Sequence, residues 1–237
     1  MPRLHYIVEN SDLAKVVSAA NTLLKIEDAI EEVVSERDIE LRGYNIEGID
    51  LSAPRKNSYV VYIDTEHNCR DEITIEDLVV KVVCKRGVAS NSSIYRALAA
   101  DLTRISINIL AKYIAKDEEF MVLILDKGIA AVLEGMPEKV VAPYIAGTLF
   151  ICHTHPNTVA SAFSKEDALT LLDVMSRRGF GGCVVSRLNS LTMYRAGLFV
   201  LEDYFKIFNA ANDLEHLDGE TIKSLGLRTV DCFNLSI

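Results

Sequence analysis

The N-terminal third of the chain combines one long amphipathic pattern with short strand-like runs. Residues 4–8 (LHYIV) form a brief apolar run that predicts a strand. From Ser11 to about Val34, apolar residues recur every three or four positions, which predicts a helix with one buried face. Residues 39–63 contain two further strand-like pieces, IELRGY and SYVVYI, separated by Gly, Pro and Asn. This mixture indicates a small α/β region.

The stretch that follows is predicted to be helical and to end that region. Thr74 and Asp77 have the spacing of a capping box around the segment IEDLVVKVVCKR, and a glycine then supplies a helix stop. Residues 88–93 (VASNSS) are small and polar, as expected of a connection. We therefore divide the chain into an N-terminal α/β region of unknown role, residues 1–90, and a larger domain, residues 91–237.

The larger domain alternates helices with strongly apolar strands. The pattern predicts helices from Ser93 to about Lys116, over residues 165–178 and over most of residues 201–225. It predicts strands at FMVLIL, TLFIC, GGCVVS and LTMYRA. Because the alternation is irregular, the expected fold class is α/β or α+β.

Composition and charge exclude several classes of function. Of the 237 residues, 49% are hydrophobic and 25% are charged, as in ordinary globular proteins. The net charge of −9 argues against nucleic-acid binding, which requires a basic surface. No apolar run reaches the roughly 18 residues of a membrane helix, and the N-terminus lacks the apolar core of a signal peptide. We therefore expect a cytoplasmic protein that binds neither nucleic acid nor membrane.

The cysteines point to the same location. They form an odd, scattered set without a C-x-x-C pair: Cys69, Cys84, Cys152, Cys183 and Cys232. Such a set is typical neither of a disulfide framework nor of a zinc knuckle. The pattern predicts reduced thiols, most of them buried.

The candidate chemistry lies in residues 150–172, FICHTHPNTVASAFSKEDALTLL. His153 and His155 end an apolar strand, where residues two apart point to the same face, so their imidazoles can bind one metal ion. Asp167, in the first turn of the next predicted helix, can supply a carboxylate as the third ligand. Three protein ligands leave a position for water, which is the arrangement of a catalytic zinc site.

A structural role is the alternative for the second half of this motif. Ser164 and Asp167 have the S-x-x-D spacing of a capping box, which by itself predicts only a helix start. The H-T-H-P segment just upstream is what favours a metal site. Cys152 also lies beside His153, but its side chain belongs to the other face of the strand, so a core thiol is the better interpretation.

The order of these features resembles the JAMM (MPN+) motif of the Mov34/MPN/PAD-1 metalloproteases. The match consists of HTHP at residues 153–156, SKED at residues 164–167, the helix, glycine turn and strand CVVS that follow, and a strand ending in MYRAG. The resemblance covers about residues 92–200. It implies a cytidine-deaminase-like, three-layer MPN domain with a mixed β-sheet flanked by helices.

The resemblance also implies a role for each residue of the site. His153, His155 and Asp167 would bind Zn2+, and Ser164 would hydrogen-bond the tetrahedral intermediate. The family's general acid/base is a glutamate far upstream of the histidines. Glu119, directly before FMVLIL, occupies that position.

Other glutamates stay open as candidates for the general base. Glu118 lies on the opposite face of the same strand, and Glu134 and Glu138 lie in a turn nearer the histidines. The glycines that often follow the family's catalytic glutamate are absent from this chain. That departure indicates a divergent member.

The spacing before the serine leaves two candidates for the third metal ligand. Eight residues separate His155 from Ser164, one more than is usual in the family, and the usual proline before the serine is absent. Strict counting would make Glu166 the third ligand instead of Asp167. An extra loop residue is the preferred interpretation, because Ser164 and Asp167 keep both chemical types and the cap.

The leading hypothesis is a zinc metallopeptidase of the JAMM type. By resemblance its substrate is an amide or isopeptide bond, in a ubiquitin-like modifier joined to a lysine or at the C-terminus of a sulfur-carrier protein. The alternative is a non-catalytic MPN-like scaffold or interaction module, although such modules usually lack the ligands. A phosphoesterase that uses H-x-H would need more clustered histidines than this chain has. The oligomeric state stays open, with a homodimer as one expectation.

Overall fold

The chain divides into two compact units. The computed structural model describes residues 3–49, 56–90, 92–135, 143, 145–156 and 161–237. The larger unit comprises Met1–Ser18 and Tyr95–Ile237, and the smaller comprises Ala19–Ile94.

Both units contain helices and strands. In the described residues the helices are α1 (Ser11–Arg37), α2 (Ser92–Leu110), α3 (Lys165–Ser176), α4 (Leu201–Asp213) and α5 (Gly219–Ser224). The strands are β1 (Arg3–Glu9), β2 (Gly43–Ile46), β3 (Ser58–Asp64), β4 (Arg70–Ile75), β5 (Leu78–Lys85), β6 (Phe120–Leu125), β7 (Ile129–Glu134), β8 (Thr148–Thr154), β9 (Phe163–Ser164), β10 (Gly181–Val185), β11 (Asn189–Arg195), β12 (His216–Leu217) and β13 (Val230–Ser236). The predicted mixed α/β class is confirmed.

The larger unit is built on a seven-stranded sheet with the order β1-β7-β6-β8-β10-β11-β13. The β8–β10 pair is parallel, and the other neighbours in this sheet are antiparallel. A parallel pair needs a crossover connection, and here the crossover carries α3. The strand before α3 and the start of α3 are therefore close in space.

Helices lie on both faces of this sheet. On one face, Leu171 of α3 shares a buried cluster with Val184 of β10 and Leu191 of β11. On the other, Oγ1 of Thr103 in α2 lies 2.9 Å from Oγ1 of Thr192 in β11, within hydrogen-bond distance. Leu191 and Thr192 are consecutive strand residues, so their side chains point to opposite faces.

The smaller unit carries a four-stranded sheet with the order β2-β3-β5-β4, in which β3 and β5 are parallel. Its part of α1 contributes the fully buried side chains Leu23, Ile26 and Ile30. The hydroxyl of Tyr44 donates to the buried carboxylate of Glu27 at 3.2 Å, which joins β2 to α1.

The helix predicted over residues 74–87 is wrong, because this segment forms a hairpin. β4 and β5 pair antiparallel with Ile75 opposite Leu78, and Glu76 turns the chain with a φ of 54°. Along β5, fully buried side chains alternate with more exposed ones, and four of its eight residues are valine. A run this rich in valine favours a strand over the capping spacing on which the helix was predicted.

Most of the other predicted elements are confirmed, including β1, α1, β6, β8 and α3. α2 ends at Leu110 rather than near Lys116, and residues 201–225 form α4 and α5 with β12 between them. The units also divide differently from the predicted boundary at residue 90. β1 pairs with β7, so the first strand lies in the larger unit.

The state of the cysteines differs from the prediction. The prediction of reduced thiols is wrong for four cysteines, because disulfides join Cys69 to Cys84 and Cys152 to Cys183, leaving Cys232 as a buried thiol. Cys152 and Cys183 are direct partners in the β8–β10 register, a proximity that linear spacing does not reveal. Among the described residues, no helix combines the length and the apolar character needed to cross a bilayer.

Candidate metal centre

The two histidines are presented by a strand end that is fixed on both sides. The backbone N–H of His155 donates to the carbonyl of Val185, the last residue of β10, at 2.8 Å. On the β6 side, Oγ1 of Thr154 accepts from the backbone N–H of Phe120 at 2.9 Å. His153 is buried and His155 is partly buried. The imidazoles therefore project from a strand end with little freedom to shift.

Asp167 is oriented by the start of α3. Ser164 is the N-cap of this helix: its Oγ accepts from the backbone N–H of Asp167 at 3.2 Å. In return, Oδ2 of Asp167 accepts from the backbone N–H of Ser164 at 2.9 Å. This reciprocal pair is the predicted capping box, and it satisfies two backbone donors at the helix end.

The structure brings the three predicted ligands together. Nε2 of His153 lies 3.0 Å from Nε2 of His155. Oδ1 of Asp167 lies 3.1 Å from Nε2 of His153, and Oδ2 lies 3.3 Å from Nε2 of His155. One donor atom from each side chain lies within 4.8 Å of the others, so this group could hold a metal ion.

The separations between donor atoms fit a small tetrahedral ion. Two ligands bound to zinc at about 2.0–2.1 Å with tetrahedral angles lie about 3.3 Å apart. The two imidazole nitrogens lie 3.0 Å apart, a few tenths of an ångström short of that value, and each lies 3.1–3.3 Å from a different oxygen of Asp167. The donor set, two imidazoles and one carboxylate, is also one that zinc accepts.

The electrostatics of the group reflect its burial and its opposite charges. Burial acts to lower the pKa of His153, but the charge and hydrogen bond of Asp167, together with the charge of Glu119, leave that pKa above its usual value. Burial acts to raise the pKa of Asp167, yet the two imidazoles hold it far below its usual range. The carboxylate is therefore ionised at neutral pH, as a metal ligand must be.

Glu119 lies on the same side of the sheet as the histidines. Met121 pairs with His153 in the β6–β8 register, and continuing that register aligns Glu119 with His155. Because residues two apart on a strand share a face, the side chain of Glu119 is expected on the same face of the sheet as those of Met121 and His153. Its charge contributes to the raised pKa of His153. Glu118 lies in the bend before β6, outside the strand register.

Two other carboxylate candidates, Glu166 and Glu134, lie apart from the group. Glu166 is exposed and is not among the three residues whose donor atoms converge. Glu134 pairs with Phe120 in the register, and its Oε2 lies 3.7 Å from Nδ1 of His5. Glu138 lies outside the described residues.

One residue that lies beside the site could not be placed there from the sequence. His216, in β12, pairs directly with Ser164 of β9, so its backbone borders the start of α3. The two-residue strands that make this pairing are too short to show a period. Only the folded chain brings this exposed histidine beside the N-cap.

In comparisons of the chain with protein-family models, with curated proteins and with solved structures, nothing matches.

Proposed function

We propose that this protein is a zinc-dependent hydrolase of amide or isopeptide bonds, of the JAMM type. The observation that carries the proposal is the convergence of His153, His155 and Asp167 at separations of 3.0–3.3 Å. These three side chains would hold the ion and leave one tetrahedral position for water. When bound, zinc supplies the Lewis acidity that lowers the pKa of a water to about 7 and polarises the scissile carbonyl.

Glu119 supplies the proton transfers that amide hydrolysis requires. Its carboxylate accepts a proton from the attacking water and delivers it to the leaving nitrogen as the C–N bond breaks. The products are a carboxylic acid and an amine, which at neutral pH become a carboxylate and an ammonium group, so the protons balance. Support for this role comes from its position on the histidine side of β6 and from its electrostatic effect on His153.

Ser164 supplies a hydrogen bond to the developing oxyanion. Its Oγ already accepts from the N–H of Asp167, which fixes its position. A hydroxyl that accepts one bond still has its own proton to donate. That donor at the helix N-terminus favours negative charge on a substrate oxygen.

The finer fold assignment belongs to the same proposal. A mixed sheet with α2 on one face and α3 on the other, and a parallel β8–β10 pair around α3, are compatible with the three-layer, cytidine-deaminase-like MPN arrangement. The H-T-H-P and S-x-x-D motifs support it at the level of sequence. By that resemblance we propose an enzyme acting on a ubiquitin-like modifier conjugate or on the C-terminus of a sulfur-carrier protein. The cytoplasmic location, which was expected from the sequence patterns, stays a prediction.

Metal content and hydrolysis together test the proposal. Zinc per chain is measured after purification and after chelation, and hydrolysis is followed with ubiquitin-like proteins joined through their C-terminus to a fluorophore or to lysine. We expect one zinc per chain and zinc-dependent cleavage in the wild type, and neither in His153→Ala. His67→Ala, in the smaller unit, is the matched control and should keep both. Wild-type chain without stoichiometric zinc would favour the non-catalytic module instead.

A further inference from the structure

A cavity of about 380 Å³ adjoins the candidate metal centre. One wall is formed by Ile145 and by residues of β8, including Ile151, and the other by the side of α3 that carries Thr170 and Val174. Its volume falls within the roughly 300–1,000 Å³ range of small-ligand pockets. The cavity contains none of the three candidate ligands and is not used by the proposed chemistry.

Both walls of the cavity continue into the metal centre. Ile151 and His153 are two residues apart on β8, so they share a face and lie roughly 7 Å apart. Thr170 follows Asp167 by three residues on α3, which places them on the same side of the helix, about 4.5 Å apart along its axis. A ligand in the cavity therefore lies roughly two extended peptide residues away from the candidate zinc position.

Apolar side chains line both walls of the cavity, beside four polar or charged ones. Pro143, Ile145, Ile151, Leu169 and Val174 contribute to it. Val174 and Ile151 belong to one buried cluster, and Ile145 packs against it. Such a lining favours a large apolar group, because its burial removes apolar surface from water.

The polar side chains that line the cavity already have partners within the chain. Oγ1 of Thr148 donates to the carbonyl of Ile145 at 2.7 Å, and Oγ1 of Thr170 donates to that of Glu166 at 2.8 Å. Nε of Arg177 lies 2.7 Å from Oδ1 of Asp173, so these charges neutralise each other. The lining thus complements a neutral occupant better than a charged one.

We propose that this cavity is a specificity pocket for a bulky aliphatic side chain in the substrate. That side chain would belong to the second residue before the one that donates the scissile carbonyl. The acyl side is assigned because the amine side of an isopeptide bond is a lysine side chain, which carries no residues at this spacing. The inference rests on the proposed function.

The first test measures binding without catalysis. The probes are the peptides acetyl-Ala-X-Gly-Gly-amide with X as Leu, Gly, Lys or Glu, added to the full chain after removal of metal by a chelator. Methyl NMR follows Ile145, Ile151 and Val174. We expect the Leu peptide to bind at least about tenfold more tightly than the Gly peptide, as typical for a hydrophobic pocket, and to shift these methyl signals.

The second test measures hydrolysis by the zinc-loaded chain. The same peptides carry a coumarin amide after the last glycine, so that cleavage releases fluorescence. We expect kcat/KM for X as Leu to exceed that for Gly, Lys and Glu by at least about tenfold. Moving Leu one residue toward either end of the peptide should reduce the preference.

A cavity-filling variant links both measurements to the pocket. Thr170→Phe places a large ring at the cavity wall and should abolish the Leu preference, while zinc content stays unchanged. Ser176→Phe makes a matched change at an exposed position of the same helix, outside the cavity, and should retain the preference.

The outcomes separate this inference from the proposed function. Leu-selective binding at the cavity methyls, without hydrolysis of any peptide, would leave the pocket standing and count against the hydrolase. Hydrolysis without a preference at X, or a preference that survives Thr170→Phe, would overturn the pocket alone. Equal binding of the Leu and Gly peptides, with no cavity methyl shifted, would overturn it independently of any variant.

Discussion

Ser164 and Asp167 bind each other reciprocally at the start of α3, each side chain accepting from the other's backbone N–H. The same carboxylate of Asp167 faces the imidazoles of His153 and His155. A helix cap and a candidate metal ligand are therefore one group. The capping box does not compete with a metal role for Asp167, because Oδ1 is directed to His153 while Oδ2 also accepts from the cap.

Replacing Asp167 with asparagine should separate these two roles. The amide oxygen of Asp167→Asn can still accept from Ser164, so helix content should be retained, but the charged ligand is lost. We expect zinc affinity to fall by more than the roughly 100-fold upper range for an outer-shell partner, measured by competition with a chelator. Glu166→Gln is the control and should leave affinity unchanged. A larger loss in Glu166→Gln would identify that residue as the ligand.

Substitutions at Ser164 should separate capping from chemistry in the same way. Ser164→Ala removes the cap and should cost about 1 kcal/mol of unfolding free energy, whereas Ser164→Gly should cost only a few tenths. Both remove the hydroxyl and should lower kcat to a similar extent with zinc content unchanged. Urea unfolding and steady-state kinetics measure the two effects. Activity that follows stability across the two variants would assign Ser164 a capping role alone.

The two adjacent glutamates before β6 make a matched pair for the general base. Glu119→Gln keeps size and hydrogen bonding but cannot accept a proton, so we expect hydrolysis to fall by roughly 10²–10⁴-fold with zinc still bound. Glu118→Gln makes the same change one residue earlier, in the bend before β6, and should have little effect. Kinetics and zinc content of both variants measure this. The reverse result would give the role to Glu118.

The site was predictable from sequence because its parts are local. His153 and His155 share a strand face through the period of two, and Ser164 and Asp167 are one helical turn apart. Their meeting depends only on a strand, a loop and the next helix. Glu119 required knowledge of strand pairing, which the resemblance supplied and the β6–β8 register supports.

Sequence patterns were insufficient where pairing decides the outcome. The Thr74 and Asp77 spacing suggested a helix, but the valine-rich strand β5 pairs with β3 and β4. The disulfide between Cys152 and Cys183 depends on parallel register across 31 residues. His216 approaches Ser164 by a two-residue pairing with no period to detect. Such tertiary contacts override local preference.

The cysteine pairing gives a prediction about the oxidised chain. Alkylation of the unfolded protein without reductant should modify Cys232 alone, and all five cysteines should react after reduction, as measured by mass spectrometry. Burial raises the pKa of Cys232 to about 11, so in the folded protein it should react slowly at neutral pH. Five alkylated cysteines without reductant would restore the expectation of reduced thiols in a cytoplasmic protein.

The ion pair between His153 and Asp167 should make the stability of the metal-free chain depend on pH in both directions. The pKa of Asp167 is lowered on folding, so its contribution is present above the unfolded value of 3.8 and is lost as pH falls toward the folded pKa. The pKa of His153 is raised, so its contribution is present below 6.5 and is lost as pH rises through the folded pKa. Both contributions are complete between these two values.

Urea unfolding with a chelator across pH measures this dependence, with Asp167→Asn as the reference. The variant should show a flatter profile on both sides of the window, because it removes the partner of each shift. Added zinc should reverse the pH trend of the wild type at the upper end, so that its stability rises with pH there. Zinc binding requires neutral imidazoles and therefore strengthens as pH rises through the folded pKa of His153. A wild-type profile parallel to that of Asp167→Asn would show that the pair does not contribute to folding.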